Sequence, residues 1–312
     1  VYEWIVAGTL VVTSLAAVAA LFFTRQSIQA TNSQLRISEQ GQITDRYNAA
    51  ITNLGSRSIE VRLGGIYALQ RLMQDSPRDQ PTVVAVLCAF VRDQSSPAVK
   101  PLKQSTPQPP TDIQAALTVV GTRNIANDGQ TTVVDFDHAQ LANAQLAFLR
   151  LSHANLAGAG LRHANLAAAR LTGANLTGAD LTDANLNSVH LAGADLNSVH
   201  LASANLVGAD LTRANLIHAD LTGAILVGAD LTGAQLAYAD LTGAYLTGTD
   251  LTRADLIYAD LTGADLTGAD LTGANFFRAD LTGAKWPKAY QAPAGWVRDP
   301  TSGRLKRANA GA

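Results

Sequence analysis

The sequence predicts a solenoid of stacked five-residue units, placed after a short helical region and a long apolar N-terminal stretch. Three observations carry this. Stepping by five from Phe136 to Leu281 visits 30 positions, of which 28 are Leu and two, Phe136 and Phe276, are Phe. Two residues before these stands Ala in 25 cases, the exceptions being Val134, Leu149, Val189, Val199 and Thr249. The third observation is Trp4 to Phe23, 20 residues without a charge. A period of five matches neither the 3.6 of a helix nor the 2.0 of a strand, so each unit must stack on its neighbours to bury its apolar pair.

Within a pentad one large and one small apolar side chain point inward, and the other three positions face water. Gly follows the central residue by two places in 14 of the 30 pentads, where a chain turning a corner needs positive φ. Asp or Asn commonly precedes the Leu and Thr commonly follows it. Such residues bond turn backbone, so their expected role is architectural.

Read as A(D/N)LXX, the motif over residues 134–286 resembles that of the pentapeptide-repeat family. The resemblance implies a mainly β fold: a right-handed quadrilateral β-helix with one pentapeptide per wall and four per coil. Thirty pentads then make about 7.5 coils, and at ~4.8 Å per coil the rod is ~36 Å long.

The whole chain reads as one transmembrane helix and a small α-helical adaptor preceding this solenoid. Its expected divisions are a transmembrane anchor (1–24), a helical stalk (25–58), an adaptor (59–130) holding a Pro-rich loop (95–111), the β-helix (131–286), and a C-terminal cap with a basic disordered tail (287–312). Twenty helical residues span ~30 Å, the thickness of a bilayer core. Tyr2, Trp4, Phe22 and Phe23 suit the interfaces. Arg25, Arg36 and Arg46 follow the span and only Glu3 precedes it. A single-pass cell-membrane protein with an external N-terminus and a cytoplasmic C-terminal domain is expected.

In the stalk, Ile28, Leu35, Ile43 and Ala50 lie at near-heptad spacing, which suits self-association. Val61, Ile66, Leu69 and Leu72 form one helical stripe. Pro81 stands near a second helix start and Thr111 is a candidate N-cap of a third. The three helices resemble a HEAT-like packing unit. Cys88, the single cysteine, sits in an apolar run and is expected in the core. Stacked coils expose backbone at both ends. The adaptor is placed to cap the first coil near Val133 and Val134, while Trp286, in the next Leu position, and Trp296 are candidate plugs of the far end.

Charge is unevenly spread. Residues 1–134 carry 11 Lys and Arg against 9 Asp and Glu, residues 135–285 carry 7 against 15, and the remainder 5 against 1. The acidic rod argues against direct nucleic-acid binding. All six histidines lie in it, and no two are 20 apart, so no stacked pair forms a metal site. Ser188 and His190 belong to a ten-residue duplication rather than to a nucleophile and its base. Neither a phosphate cradle nor any cofactor motif is present, and no enzyme is expected.

Two kinds of column remain for recognition. Folded four pentads to a coil, Asp210, Asp230, Asp250 and Asp270 form one ladder and Asp220, Asp240, Asp260 and Asp280 another on the opposite wall. Between them Ile217, Ala237, Ile257 and Phe277 share a column beside Tyr238 and Tyr258. Opposite these, Ile225 and Tyr245 replace the usual Asp or Asn, flanked by Val207 and Val227. The apolar columns predict a non-enzymatic, membrane-anchored scaffold that docks a protein partner or a second copy. The alternative rests on the ladders. A subset of the family resembles DNA in shape and charge, binds type II topoisomerases such as DNA gyrase, and gives quinolone resistance.

Overall fold

The structure, a computed structural model, describes residues 2–96, 108–129 and 132–308, with side chains described from residue 15 onward. Four helices precede the repeats: α1 (Tyr2–Leu54), α2 (Ile59–Asp75), α3 (Gln80–Ser95) and α4 (Thr111–Thr122). The expected anchor and stalk are one uninterrupted helix of 53 residues, about 80 Å long at the α-helical rise. It contains no Pro, and Gly8 and Gly41 do not end it before Gly55. The expected span, residues 4–23, overlaps residues whose side chains lie outside those described. Among the described residues no helix is long and apolar enough to cross a membrane.

Ala50 and Leu54 are buried and Ile43 and Tyr47 half-buried against the helical unit. Ile43 and Ala50 therefore serve intramolecular packing rather than a coiled-coil seam, whereas Ile28 and Leu35 are exposed. Ile66, Leu69 and Leu72 form the buried face of α2, but Val61 points to solvent. Ser58 caps α2, its hydroxyl accepting from the Val61 N–H at 3.3 Å. At α4 the expected cap moves by one: Pro110 holds the N-cap position without a side-chain bond and Thr111 opens the helix. Most of the Pro-rich loop, 97–107, lies outside the described residues. Cys88 is in the core, and burial pushes its thiol up to about 12 despite Arg123 and Arg92 nearby.

From residue 135 one unit repeats without interruption. The residue before each central Leu or Phe forms a parallel bridge with the residue 20 positions on, from Asp135 with Asn155 to Asp265 with Lys285. Twenty residues per coil and five per wall give the square section. The next four residues make a turn in which the second Ala N–H donates to the Leu carbonyl, as Ala144 to Leu141 at 3.0 Å. Such a turn is of type II and requires positive φ at its third position. Gly holds that position in 14 pentads, and the sequence reading extended no further. The other sixteen adopt it without Gly, from His138 (φ 54) to Arg278 (φ 59). A wall is thus a single bridge between two turns. The repeat region consequently has almost no extended strand, and β enters as isolated bridges.

The central Leu and Phe and the preceding Ala fill the inside. Leu216, Leu236 and Leu256 have no accessible surface, and Ala219 and Ala239 have 1%. Thr249, a polar exception at a small-residue position, is fully buried and donates its hydroxyl to the Leu226 carbonyl at 2.9 Å.

The helical unit supplies partners for the backbone of three of the four walls of the first coil, those at Gln140, Gln145 and Arg150. In every later coil the bridge residue N–H donates upward to the coil before it, as Gly160 does to Ala139. For the first coil that coil is missing, and the helices supply its acceptors. Gln140 N–H donates to Ser95 Oγ at 3.2 Å. Gln114 presents its amide like a peptide group, accepting from the Gln145 N–H at 2.9 Å and donating to the Gln145 carbonyl at 2.8 Å. Arg150 N–H donates to the Gly121 carbonyl at 2.8 Å, and Arg123 donates to the Arg150 carbonyl at 3.0 Å. Much of a sheet edge that would invite pairing is thereby covered.

At the far end the expected disordered tail is replaced by a hairpin of β1 (Trp296–Arg298) and β2 (Leu305–Arg307), antiparallel with Arg298 opposite Leu305. Asp299 organises its turn, accepting from Thr301 and Ser302. Leu305 is buried and extends one wall, accepting from Gly283 and donating to the Ala284 carbonyl, both at 2.8 Å. Trp286 is buried and lies edge-on to Phe276 at 5.2 Å. Trp296 is half-buried and has the Arg307 guanidinium over its ring at 5.2 Å. Residues 309–312 lie outside the described residues.

α4 lies close on the first coil at Gly121, where a Cβ would stand 2.7 Å from Leu149 Cβ. Gly121→Ala is expected to lift α4 off the first coil and cost about 1–3 kcal/mol, as overpacking does. Thermal unfolding followed by circular dichroism checks this, with Gly64→Ala, at a helical glycine with open space around it, as the control.

Candidate protein-docking site

The two acidic ladders form as the spacing requires. Bridges join Asp210, Asp230, Asp250 and Asp270 in one series and Asp220, Asp240, Asp260 and Asp280 in the other. At ~4.8 Å, neighbouring unit charges repel by about 0.9 kcal/mol even at the dielectric of water. Each of the eight carboxylates offsets this through its own turn. Oδ1 accepts the N–H of the Thr two residues on, at 3.1 Å for Thr212 and 2.9 Å for Thr232, Thr242, Thr262 and Thr282. The architectural role is therefore filled at all eight positions.

Hydrogen bonds also shift the lower ends of the ladders. The Thr272 hydroxyl, followed by that of Tyr290, holds Asp270 below the usual carboxylate range. For Asp280 the Thr282 hydroxyl is the largest cause, burial opposes it, and Arg307 assists. Among the described residues no group of three or more His, Cys, Asp or Glu could hold a metal ion. Ser188 Oγ bonds its neighbour Asn187 at 3.0 Å, and His190 sits in a bridge column between Arg170 and Asp210. Duplication accounts for both.

The apolar columns are more unusual. Tyr238 and Tyr258 occupy the positive-φ corners of successive coils. Their rings stack at 5.0 Å and 5° from parallel. The sequence reading missed both ends of this stack. His218 lies above, 5.1 Å from Tyr238 and 23° from parallel. Arg278 lies below, its guanidinium 5.5 Å from the Tyr258 ring centre and donating to the Tyr258 hydroxyl at 2.8 Å. The signal lies in the spacing, since 218, 238, 258 and 278 are 20 apart and a mixed His, Tyr and Arg column can stack as an all-Tyr one does.

Phe277 meets Tyr258 edge-on at 6.4 Å and is 59% exposed. Ile217 and Ile257 in the same column are half-buried. Tyr238 and Tyr258 remain exposed, so the stack presents ring edges and hydroxyls to solvent. On the other apolar wall Ile225 and Tyr245 are bridged neighbours and both exposed, with exposed Val227 beside them and Val207 half-buried. The structure brings each set together on its own wall, and the two sets do not meet. At the far end Trp286 packs against Phe276 and Trp296 lies under the Arg307 guanidinium.

The chain matches the family model described as pentapeptide repeats, in eight copies between residues 139 and 285. No curated protein matches it. Among solved structures it is similar to HetL, a pentapeptide repeat protein involved in heterocyst differentiation regulation in the cyanobacterium Nostoc sp. strain PCC 7120. Identity is 38%, covering 50% of this chain and 78% of that one, with a TM-score of 0.27. QnrB1, a plasmid-mediated fluoroquinolone resistance protein, is 18% identical over 47% of this chain and 81% of that one, with a TM-score of 0.40. A pentapeptide repeat protein from the Arabidopsis thaliana thylakoid lumen is 31% identical over 36% of this chain and 65% of that one, with a TM-score of 0.14.

Asp270 and Asp280 titrate lower in the folded chain than their ordinary value of 3.8. The stability they contribute is fully present above that value and is lost as pH falls through the lower folded pKa. The melting temperature is expected to drop between about pH 5 and about pH 2. A rise on acidification would mean that repulsion along the ladders outweighs the turn bonds.

Proposed function

The chain belongs to the pentapeptide-repeat family, and from that premise we propose that it is a non-enzymatic scaffold whose rod docks a protein partner along the His218–Tyr238–Tyr258 column. The exposed stack is the observation that carries this reading. Aromatic side chains supply most of the energy at protein interfaces, and three aligned, mutually braced rings lose little side-chain freedom on binding. Ile217, Ile257 and Phe277 widen the same strip, while Ile225 and Tyr245 offer a smaller second one. A second copy is the other possible occupant of either strip.

Attachment to a membrane through residues 4–23 belongs to the same proposal, with the rod on the cytoplasmic side. It is supported by the charge-free length of that stretch and by Leu15, Val18, Leu21, Phe22 and Phe23, all exposed on α1. Resistance of the full chain to alkaline extraction from membranes checks it. Release into the supernatant would remove it.

The rival reading is binding of a type II topoisomerase by DNA mimicry. Two ordered carboxylate ladders, with Oδ1 held by the turns, favour it. Adding residues 25–312 to a DNA gyrase supercoiling assay decides, and no effect at micromolar protein excludes it.

For the main reading, a photo-crosslinking amino acid at position 238 is expected to give a discrete adduct in native membranes. The same group at position 193 should give none. Ile217→Ser with Ile257→Ser should reduce the adduct at least fivefold while leaving circular dichroism unchanged. Equal labelling from both positions would refute a docking role for this column.

A further inference from the structure

The two ends of the rod are finished unequally. Every central residue from Phe136 to Leu266 donates its N–H to the carbonyl of the following coil. Leu271, Phe276 and Leu281 have no such acceptor among the described residues, because the hairpin continues only the wall at 283–285. Ala274 and Phe276 are half-buried here, whereas their counterparts one coil earlier, Ala254 and Leu256, are 1% and 0% accessible.

Beside this unfinished wall lies a groove of about 840 Å³ between the last coil and the segment Tyr290–Trp296. Its floor includes Ala274, Phe276 and Trp286, and its far side Trp296. Two of its lining residues are arginines, Arg278 and Arg307, and none is Asp or Glu. On a rod whose residues 135–285 carry 15 acidic against 7 basic side chains, that charge pattern is the reverse of the surroundings.

We propose that this groove receives an extended, acidic peptide segment of a partner by strand addition. The Phe276 N–H, the Arg278 N–H and the Ala274 carbonyl, which the next coil would have satisfied, are donors and acceptor for its backbone. Its apolar side chains face Phe276, Trp286 and Trp296. Its carboxylates face Arg278 and Arg307, where the planar guanidinium suits paired hydrogen bonds to carboxylate. A second copy is disfavoured as occupant by charge. Two such ends brought together would oppose arginine with arginine, and the helical cap closes the other end of the rod.

The groove shares Tyr258, Phe277 and Arg278 with the aromatic column, but the inference stands on the backbone groups of the wall 274–278 and on the pairing of Arg278 with Arg307, which lies outside that column. Its test is therefore separable. The full chain, immobilised, is panned with a phage library of random octapeptides. Binders are expected to be enriched at least fivefold in Asp and Glu over the input library. That enrichment should be lost with Arg278→Gln plus Arg307→Gln and retained with Tyr238→Ser, which lies outside the groove. A synthetic copy of the strongest binder, N-methylated at alternate residues, should bind at least tenfold more weakly, since strand addition needs its N–H groups. No enrichment, enrichment in Lys and Arg, or unchanged binding by the arginine double variant or the N-methylated peptide would overturn the proposal. So would a dimer, seen in sedimentation, that excludes the peptide.

Discussion

Everything in this molecule depends on one constraint: a chain that turns a corner every five residues cannot pair its backbone within a wall. Each wall is too short to be a strand and too tightly turned to be a helix. Beyond the one bond that closes each turn, its amide and carbonyl groups find partners in the coils above and below, at 2.7–3.1 Å for nearly every bridge. Buried backbone left unpaired is costly, so the stack is cooperative along its length and vulnerable at its ends. The helical unit exists, in structural terms, to end that vulnerability on one side. Gln114, Gly121, Arg123 and Ser95 stand where a coil before the first would have stood.

The same geometry fixes what the surface can carry. Since Leu and Ala are committed to the interior, variation is confined to three positions per pentad, and identical positions recur in columns. A carboxylate column is tolerable because the turn absorbs one oxygen of each Asp into a backbone hydrogen bond. An aromatic column is tolerable because the spacing between coils is close to a stacking distance, so Tyr238 and Tyr258 cover each other's faces. Corner residues also sense the coil below. The His138 ring lies where a Cβ on residue 158 would be, only 2.3 Å from its Nδ1, and residue 158 is Gly.

Much of this was legible in the sequence because the repeat is self-reporting. Leu at every fifth position gave the solenoid, and the step of 20 gave the Asp ladders and the pairing of Tyr238 with Tyr258. Positive φ was legible only where Gly stood. At His218 or Arg253 the conformation is imposed by the turn on a residue that does not advertise it. The hairpin at 296–307 was missed because its strands are three residues each and rich in charge, and what folds them is pairing with Gly283 and Ala284 rather than any local pattern. The break expected between anchor and stalk was a change of composition. Backbone continuity ignores composition when no Pro interrupts the stretch.

Four pentads to a turn also make the repeat number a measure of angle. The coil section is square, so adding or deleting one pentad would swing everything after it by a quarter revolution about the axis. Removing four would restore the original bearing and shorten the shaft by one coil. The bearing of the Arg278 groove relative to α1 is thus set by counting, and evolution by whole-pentad duplication can re-aim one end of this protein without altering a single contact at the other.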